Sequence, residues 1–279
     1  MKKVVVTGAK GGTGRSIVQV LLAVGCEVLA VDIRAPEDGD DSYVQVDLAD
    51  AAAVNDAFAG ADGIVHFGSR PGDNHMTTTQ AFHQMMTAGF NVFQAARNVG
   101  AKRVAWASSI EVYGDLSKHE RLPITEQSPT APPGIYGACK LMLESLARDY
   151  CRWYGMAIAG FRLSRIIYDN DFGRAKLKRY VDSEGLGSDC LWSYVDARDV
   201  GAACLAWLRS DHQGAEVFNV AAPNVHQEVP VHTLLERHGY RDATGTVESD
   251  DATLFSTQKL RSMLNWRVEY DWRQILEGA

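Results

Sequence analysis

KVVVTGAKGGTGRSIVQVLLAVG, residues 3–25, decides the fold of this 279-residue chain. Three consecutive valines read as a buried strand, and the run that follows the glycines has the length and apolar spacing of a helix. Gly8, Gly11 and Gly14 fall at TGxxGxxG spacing between the two. Glycines at a strand-to-helix turn let backbone approach a pyrophosphate, and the first turn of the helix offers unpaired N–H groups to it. Lys10, Gly12 and Thr13 complete the cradle. Asp32 ends the second strand-like run, EVLAVD (27–32), where a carboxylate accepts hydrogen bonds from ribose hydroxyls. A tight turn with an incidental aspartate would need only the glycines; strand, glycines, helix and acid in order point to a dinucleotide. Asp32 repels a 2′-phosphate and favours NAD. Lys10 and Arg34 could neutralise such a phosphate, so NADP stays open.

Outward from this unit, strand-like and helix-like segments alternate. YVQVD (43–47), GIVHFG (63–68), RVAWASS (103–109) and MAIAGFRL (156–163) are short apolar runs separated by longer helical patterns. Continuous apolar strands between helices imply a parallel sheet covered on both faces, the doubly wound α/β architecture. Asp47 and Leu48, closing the third run, are placed to contact the adenine; Phe67, Gly68 and Ser69, closing the fourth, lie on the same edge. Residues 1–163 read as a nucleotide-binding core. Residues 164–279 read mostly as a small lobe over the crevice, partly returning to the core, with a polar, turn-rich stretch at YDNDFGRAKLKRYVDSEGLGSD.

A 46% hydrophobic content suffices for a packed core, and a net charge of -7 argues against nucleic-acid or anionic-membrane partners. Five cysteines without CxxC spacing suggest reduced thiols, with neither disulfides nor a metal site. No run reaches membrane-spanning length and the start lacks a secretory pattern, so the expected location is the cytoplasm.

The fifth run ends in Ser108 and Ser109 at the sheet's carboxyl edge. GIYGACKLMLESLA (134–147) then places Tyr136 and Lys140 one helical turn apart. Alone, the pair would be ordinary helix surface. Positions four apart share a face, however, and an ammonium beside a phenol favours its ionised form. TGxxGxxG, DLAD (47–50), VHFG, SSxxVYG, YxxxK and a closing LNW together resemble the extended branch of the short-chain dehydrogenase/reductase superfamily, the NAD-dependent sugar epimerases, dehydratases and dehydrogenases. The likeness spans about residues 3–270. It implies Tyr136 as general base, Lys140 as its tuner and a cofactor ligand, and Ser109 as the group that orients the reacting hydroxyl. It also implies a homodimer built on the Tyr136 helix and the helix at about 75–98.

Departures from the pattern bear on substrate. Dehydratases of the family carry an Asp-Glu pair after the serine; here Ile110 and Glu111 stand there as candidate substrate residues, Glu111 either as an acid/base or substrate-hydroxyl ligand or as a plain loop carboxylate. Nucleotide-sugar enzymes place an arginine where LWSYVDARDV has Trp192, which makes Trp192 a candidate substrate residue, and the lobe is short for a nucleotide diphosphate. A free sugar or sugar acid fits better, as in the compact uronate dehydrogenase-like members. Arg165 or Arg174 would hold an acidic group, and either could instead be a surface ion pair. Ser69 and Arg70, in SRPGDN (69–74), form the other candidate substrate loop. A nucleotide-sugar epimerase or decarboxylase, and a non-catalytic NAD(H) binder, are the competing readings. His75 and His83 read as plain helix residues. Met85 replaces the asparagine that relatives carry on that helix.

Overall fold

A computed structural model describes residues 2–35, 42–69, 77–240, 244–245 and 247–278. In chain order the elements are β1 (Lys3–Thr7), α1 (Gly12–Ala23), β2 (Glu27–Asp32), β3 (Tyr43–Gln45), α2 (Ala51–Ala57), β4 (Gly63–His66), α3 (Thr78–Asn98) and β5 (Arg103–Ser109). There follow β6 (Arg121–Leu122), α4 (Ile135–Tyr154), β7 (Ala157–Leu163), β8 (Arg165–Ile167), α5 (Asp171–Val181), β9 (Tyr194–Asp196) and α6 (Ala197–Arg209). The chain continues through β10 (Gly214–Val220), α7 (Val231–Arg237), β11 (Thr244–Gly245), α8 (Gln258–Leu264) and α9 (Trp272–Glu277).

Seven strands form one parallel sheet in the order β10-β7-β5-β4-β1-β2-β3. The chain winds outward from β1 in both directions. A crevice therefore opens between the loops that leave β1 and β4, at the carboxyl ends of the strands. Valines and alanines of the strands are buried on both faces. Ile17, Leu21, Val200, Cys204 and Trp207 from α1 and α6 cover one face; Val54, Phe93, Leu143 and Tyr150 from α2, α3 and α4 cover the other. The doubly wound α/β fold expected from the first 25 residues is the fold observed.

The second half of the chain is shared between sheet and lobe. β10 extends the main sheet beside β7, and α6 packs on α1. The lobe has its own core, with Val112, Leu116, Ile124, Trp192, Val225, Leu234 and Phe255. One expectation fails. The supposedly turn-rich stretch after β8 contains α5, whose start is capped by Asn170 Oδ1 accepting from Gly173 N at 2.8 Å. Its buried side is narrow, Leu177 against Trp272 and Ile275 of α9, so its apolar signal is weak.

His66 is buried at the end of β4, where its Nδ1 meets Thr7 Oγ1 at 2.8 Å. Burial, reinforced by the Lys140 charge, pushes its pKa down to about 3. The unfolded chain protonates near pH 6.5 while the folded chain resists. Stability should therefore fall as pH drops from 6.5 towards 3, with this residue contributing at most ~1.4 kcal/mol per pH unit. Urea unfolding at stepped pH is expected to show a shallower acid slope for His66→Gln than for the parent.

Candidate active site

A cleft of about 370 Å3 lies over the crevice between the β1 and β4 loops. Gly8, Gly11, Asp32, Arg34, Asp47, Leu48, Phe67, Gly68 and Ser69 line it. The glycines are sterically required. A Cβ on Gly8, whose φ is +71°, would lie 2.5 Å from Phe67 O, and one on Gly14 would lie 2.1 Å from Gly8 O. Thr13 is buried in the first turn of α1. Asn91 Nδ2 donates to Leu48 O at 2.8 Å and fixes the floor beside Asp47. Ser69 Oγ is buried with no partner among the described residues, so the lining offers an unused polar atom. The site fits an extended ligand with phosphate, ribose and base.

The acid at the end of β2 is not bare. Arg34 Nε and Nη2 donate to the two Asp32 oxygens at 3.1 and 3.3 Å, and Lys10 N donates to Oδ2 at 2.9 Å. Burial raises the Asp32 pKa, but these hydrogen bonds outweigh it and the net shift is downward. Lys10 does not line the cleft; its ammonium donates to Ala35 O and lies 4.6 Å from the Tyr43 ring centroid. Met85 does line it, with Gln84 and Ala88, so the expected asparagine position presents a thioether to the ligand. Arg70 and His75 lie outside the described residues, and His83 is exposed.

A second cleft, of about 530 Å3, opens at the carboxyl ends of β5 and β7. Ser109, Ile110, Glu111 and Arg165 line it. Ser109 caps the turn after β5, its Oγ accepting from Glu111 N at 3.1 Å. The same hydroxyl stands beside the Tyr136 phenol and acts to lower its pKa, and Tyr136 and Lys140 themselves line neither cleft. Lys140 is buried, donates from Nζ to Ala107 O at 2.7 Å, and lies 5.4 Å from the Tyr136 ring centroid. Burial lowers its pKa to about 8 against the pull of Cys139 and Glu111.

The phenol's own shift corrects the expectation drawn from Lys140. Burial, then the Glu111 carboxylate, push the Tyr136 pKa above its usual value, and the Ser109 hydroxyl only partly opposes them. The lysine alone does not bring the phenol towards neutrality. Glu111 is itself raised, by burial and by Asp189.

Two candidate substrate residues are elsewhere. Trp192 is fully buried in the lobe core, its Nε1 donating to Glu184 O at 2.7 Å, and does not face either cleft. The backbone there is left-handed, with φ of 53° and 52° at Leu191 and Trp192, which turns the indole inward. Arg174 lies on α5 in an i,i+3 ion pair with Asp171 at 2.6 Å and lines neither cleft. Arg165 is in the second cleft but already holds Asp189 at 2.6 Å, Cys190 Sγ at 3.3 Å and the Tyr180 hydroxyl.

Sequence reasoning missed Ser164 and Tyr168. Ser164 follows β7 into the second cleft with a buried Oγ that has no partner among the described residues. Tyr168 lays its ring on Gly12; a Cβ at Gly12 would be 2.6 Å from its Cγ. Ser164 was findable, being a hydroxyl at the carboxyl end of an apolar strand. Tyr168 was not, because only the folded lobe brings it to the glycine loop.

The model of the NAD dependent epimerase/dehydratase family matches residues 4–221. This chain belongs to that family. Among similar proteins, uronate dehydrogenase of Agrobacterium fabrum is 36% identical over 170 residues, covering 58% of this chain and 61% of the relative. UDP-glucose 4-epimerase of Corynebacterium glutamicum is 28% identical over 167 residues, covering 57% and 50%. The chain thus spans less than two thirds of the curated relatives it matches. Over the whole chain, a tyrosine-to-alanine variant of uronate dehydrogenase from Agrobacterium tumefaciens, complexed with NAD, superimposes with TM-score 0.72 at 25% identity, covering 100% of this chain and 90% of that one.

Behind Ser109, Ser108 Oγ donates to Glu144 Oε1 at 2.7 Å, and Glu144 is held by Arg162 through Nε at 2.9 Å and Nη2 at 2.7 Å. Both partners are buried. Glu144→Ala, which leaves the guanidinium without its counter-charge, is expected to lower unfolding free energy by about 3–5 kcal/mol. Ser108→Ala is expected to lower it by about 1–3 kcal/mol. Urea denaturation of the two variants checks both.

Proposed function

We propose that this protein is an NAD-dependent dehydrogenase that oxidises a hydroxyl of a free sugar or sugar acid. The observation that carries the reading is the convergence of the Tyr136 phenol, the Ser109 hydroxyl and the buried Lys140 ammonium at the carboxyl end of β5, where Ser109 lines the second cleft. Bound NAD supplies the acceptor for the hydrogen that leaves the carbinol carbon, and a positive ring charge that favours phenolate. Ser109 orients the substrate hydroxyl, and the Tyr136 oxygen takes its proton. Lys140 stays fixed to Ala107 O and contributes its charge to the ionised phenol. Gly8, Gly11, Gly12, Thr13 and Gly14 hold the pyrophosphate, Asp32 the adenine ribose, and Asp47 with Leu48 the adenine. The Asp32–Arg34 pair supports NAD as the cofactor, because its guanidinium is committed to the carboxylate.

Dehydrogenase is favoured over epimerase by the 36% likeness to uronate dehydrogenase and by Trp192, which closes the lobe where a nucleotide-sugar enzyme would need a cation. The five cysteines are free thiols, which suits a reducing compartment such as the cytoplasm. We also infer a homodimer through the outer faces of α3 and α4, where Phe90, Met142, Trp153 and Tyr154 are exposed.

Tyr136→Phe is expected to retain NAD affinity within about twofold and to lose about 10²–10⁴-fold in kcat/KM, read as NADH absorbance with aldoses and uronates. Unchanged turnover would remove the assigned base. Sedimentation equilibrium is expected to give twice the chain mass, and Trp153→Glu to halve it.

A further inference from the structure

Next to the cleft that contains Ser109, and meeting it at Arg165, lies another of about 510 Å3, beneath α5. Arg165 and Asp189 line both, so their ion pair forms the wall between them. On the α5 side the lining follows helical spacing: Phe172, Ala175, Lys176, Arg179 and Tyr180 share one face.

That face is chemically unlike the rest of the helix. Elsewhere on α5 each cation has its acid, Arg174 with Asp171 and Lys178 with Asp182. Lys176 and Arg179 have no carboxylate partner among the described residues, and Arg165 is neutralised by Asp189. The cleft therefore carries two uncompensated positive charges in a chain of net charge -7. Like charges three residues apart on a helix repel, and an anion between them relieves that cost. Lys176 is also held in place. Its Nζ lies 5.9 Å from the Tyr168 ring centroid and 5.8 Å from that of Tyr180, so two aromatic faces aim the ammonium.

An ammonium and a guanidinium on consecutive turns present more donors than a two-oxygen carboxylate can use, and they match a three-oxygen anion. We propose that this cleft binds a tetrahedral oxyanion, a phosphate ester or a sulfonate, carried by the sugar at the end remote from the carbon that reacts at Ser109 and Tyr136. Lys176 and Arg179 are its donors. The assignment of the reacting end rests on the dehydrogenase reading; the anion site does not.

Calorimetric titration of the NAD-saturated protein with glucose, glucose 6-phosphate, its 6-sulfonate counterpart and inorganic phosphate tests it. The anionic sugars are expected to bind at least about tenfold more tightly than glucose, and inorganic phosphate to compete with them. The stronger of the two anionic sugars identifies the group. Replacing Lys176→Gln and Arg179→Gln together should abolish the preference and leave NAD affinity unchanged. Equal affinity for neutral and anionic sugars, absence of any phosphate binding, or a preference that survives the double substitution would overturn the site. NADH absorbance is read separately. Anion preference without NADH formation leaves the subsite standing and removes the dehydrogenase reading.

Discussion

Tyr136, Lys140 and Glu144 stand four residues apart on α4, and the inward face they share fixes everything chemical about this molecule. Each step of four advances the helix about 6 Å, so a phenol, an ammonium and a carboxylate meet the carboxyl half of β5 at three successive levels. The lowest level is the anchor. Glu144 takes Ser108 from β5 and Arg162 from β7, with all three groups buried. A buried pair of this kind adds little net stability against an apolar replacement, but breaking it on one side is costly. Its consequence is registry: α4 cannot slide or rotate against the sheet without stranding a charge. Lys140 to Ala107 O then repeats the constraint one turn higher. Tyr136 and Ser109 inherit their meeting from those two ties. The network also extends outward, because Arg162 reaches Tyr113, whose hydroxyl donates to Asn219 at 2.6 Å, and so joins β10 to the same frame.

Much of this was legible in the sequence because it obeys short-range spacing. TGxxGxxG places three glycines where close backbone approach forbids a Cβ, and Tyr136 to Lys140 is one helical turn. Strand–helix alternation dictates a parallel sheet, and a parallel sheet puts its crevice at the carboxyl ends of the strands. What was not legible depends on contacts between distant segments. Trp192 looked like a substituent of a binding arginine, yet two left-handed residues turn it into the lobe core. Arg174 looked available until α5 formed and paired it with Asp171. Tyr168 carries no local signal at all.

The electrostatics of the phenol show why spacing alone understates a site. A lysine one turn away suggests a lowered pKa, but solvent exclusion acts on the phenolate and opposes it, and Glu111 adds a like charge. Lys140 is itself depleted by burial, its pKa reduced to about 8. The chain without its ligand thus stores the phenol in the protonated form.

Tyr168 reaches from the glycine loop to α5. Its ring rests on Gly12, at the start of α1, while its face helps aim Lys176 beneath α5. Its backbone carbonyl lies so near Gly173 that a Cβ there would come within 1.9 Å, which locks the start of α5 to the end of β8. One aromatic side chain thus packs on the glycine loop and faces the ammonium of Lys176.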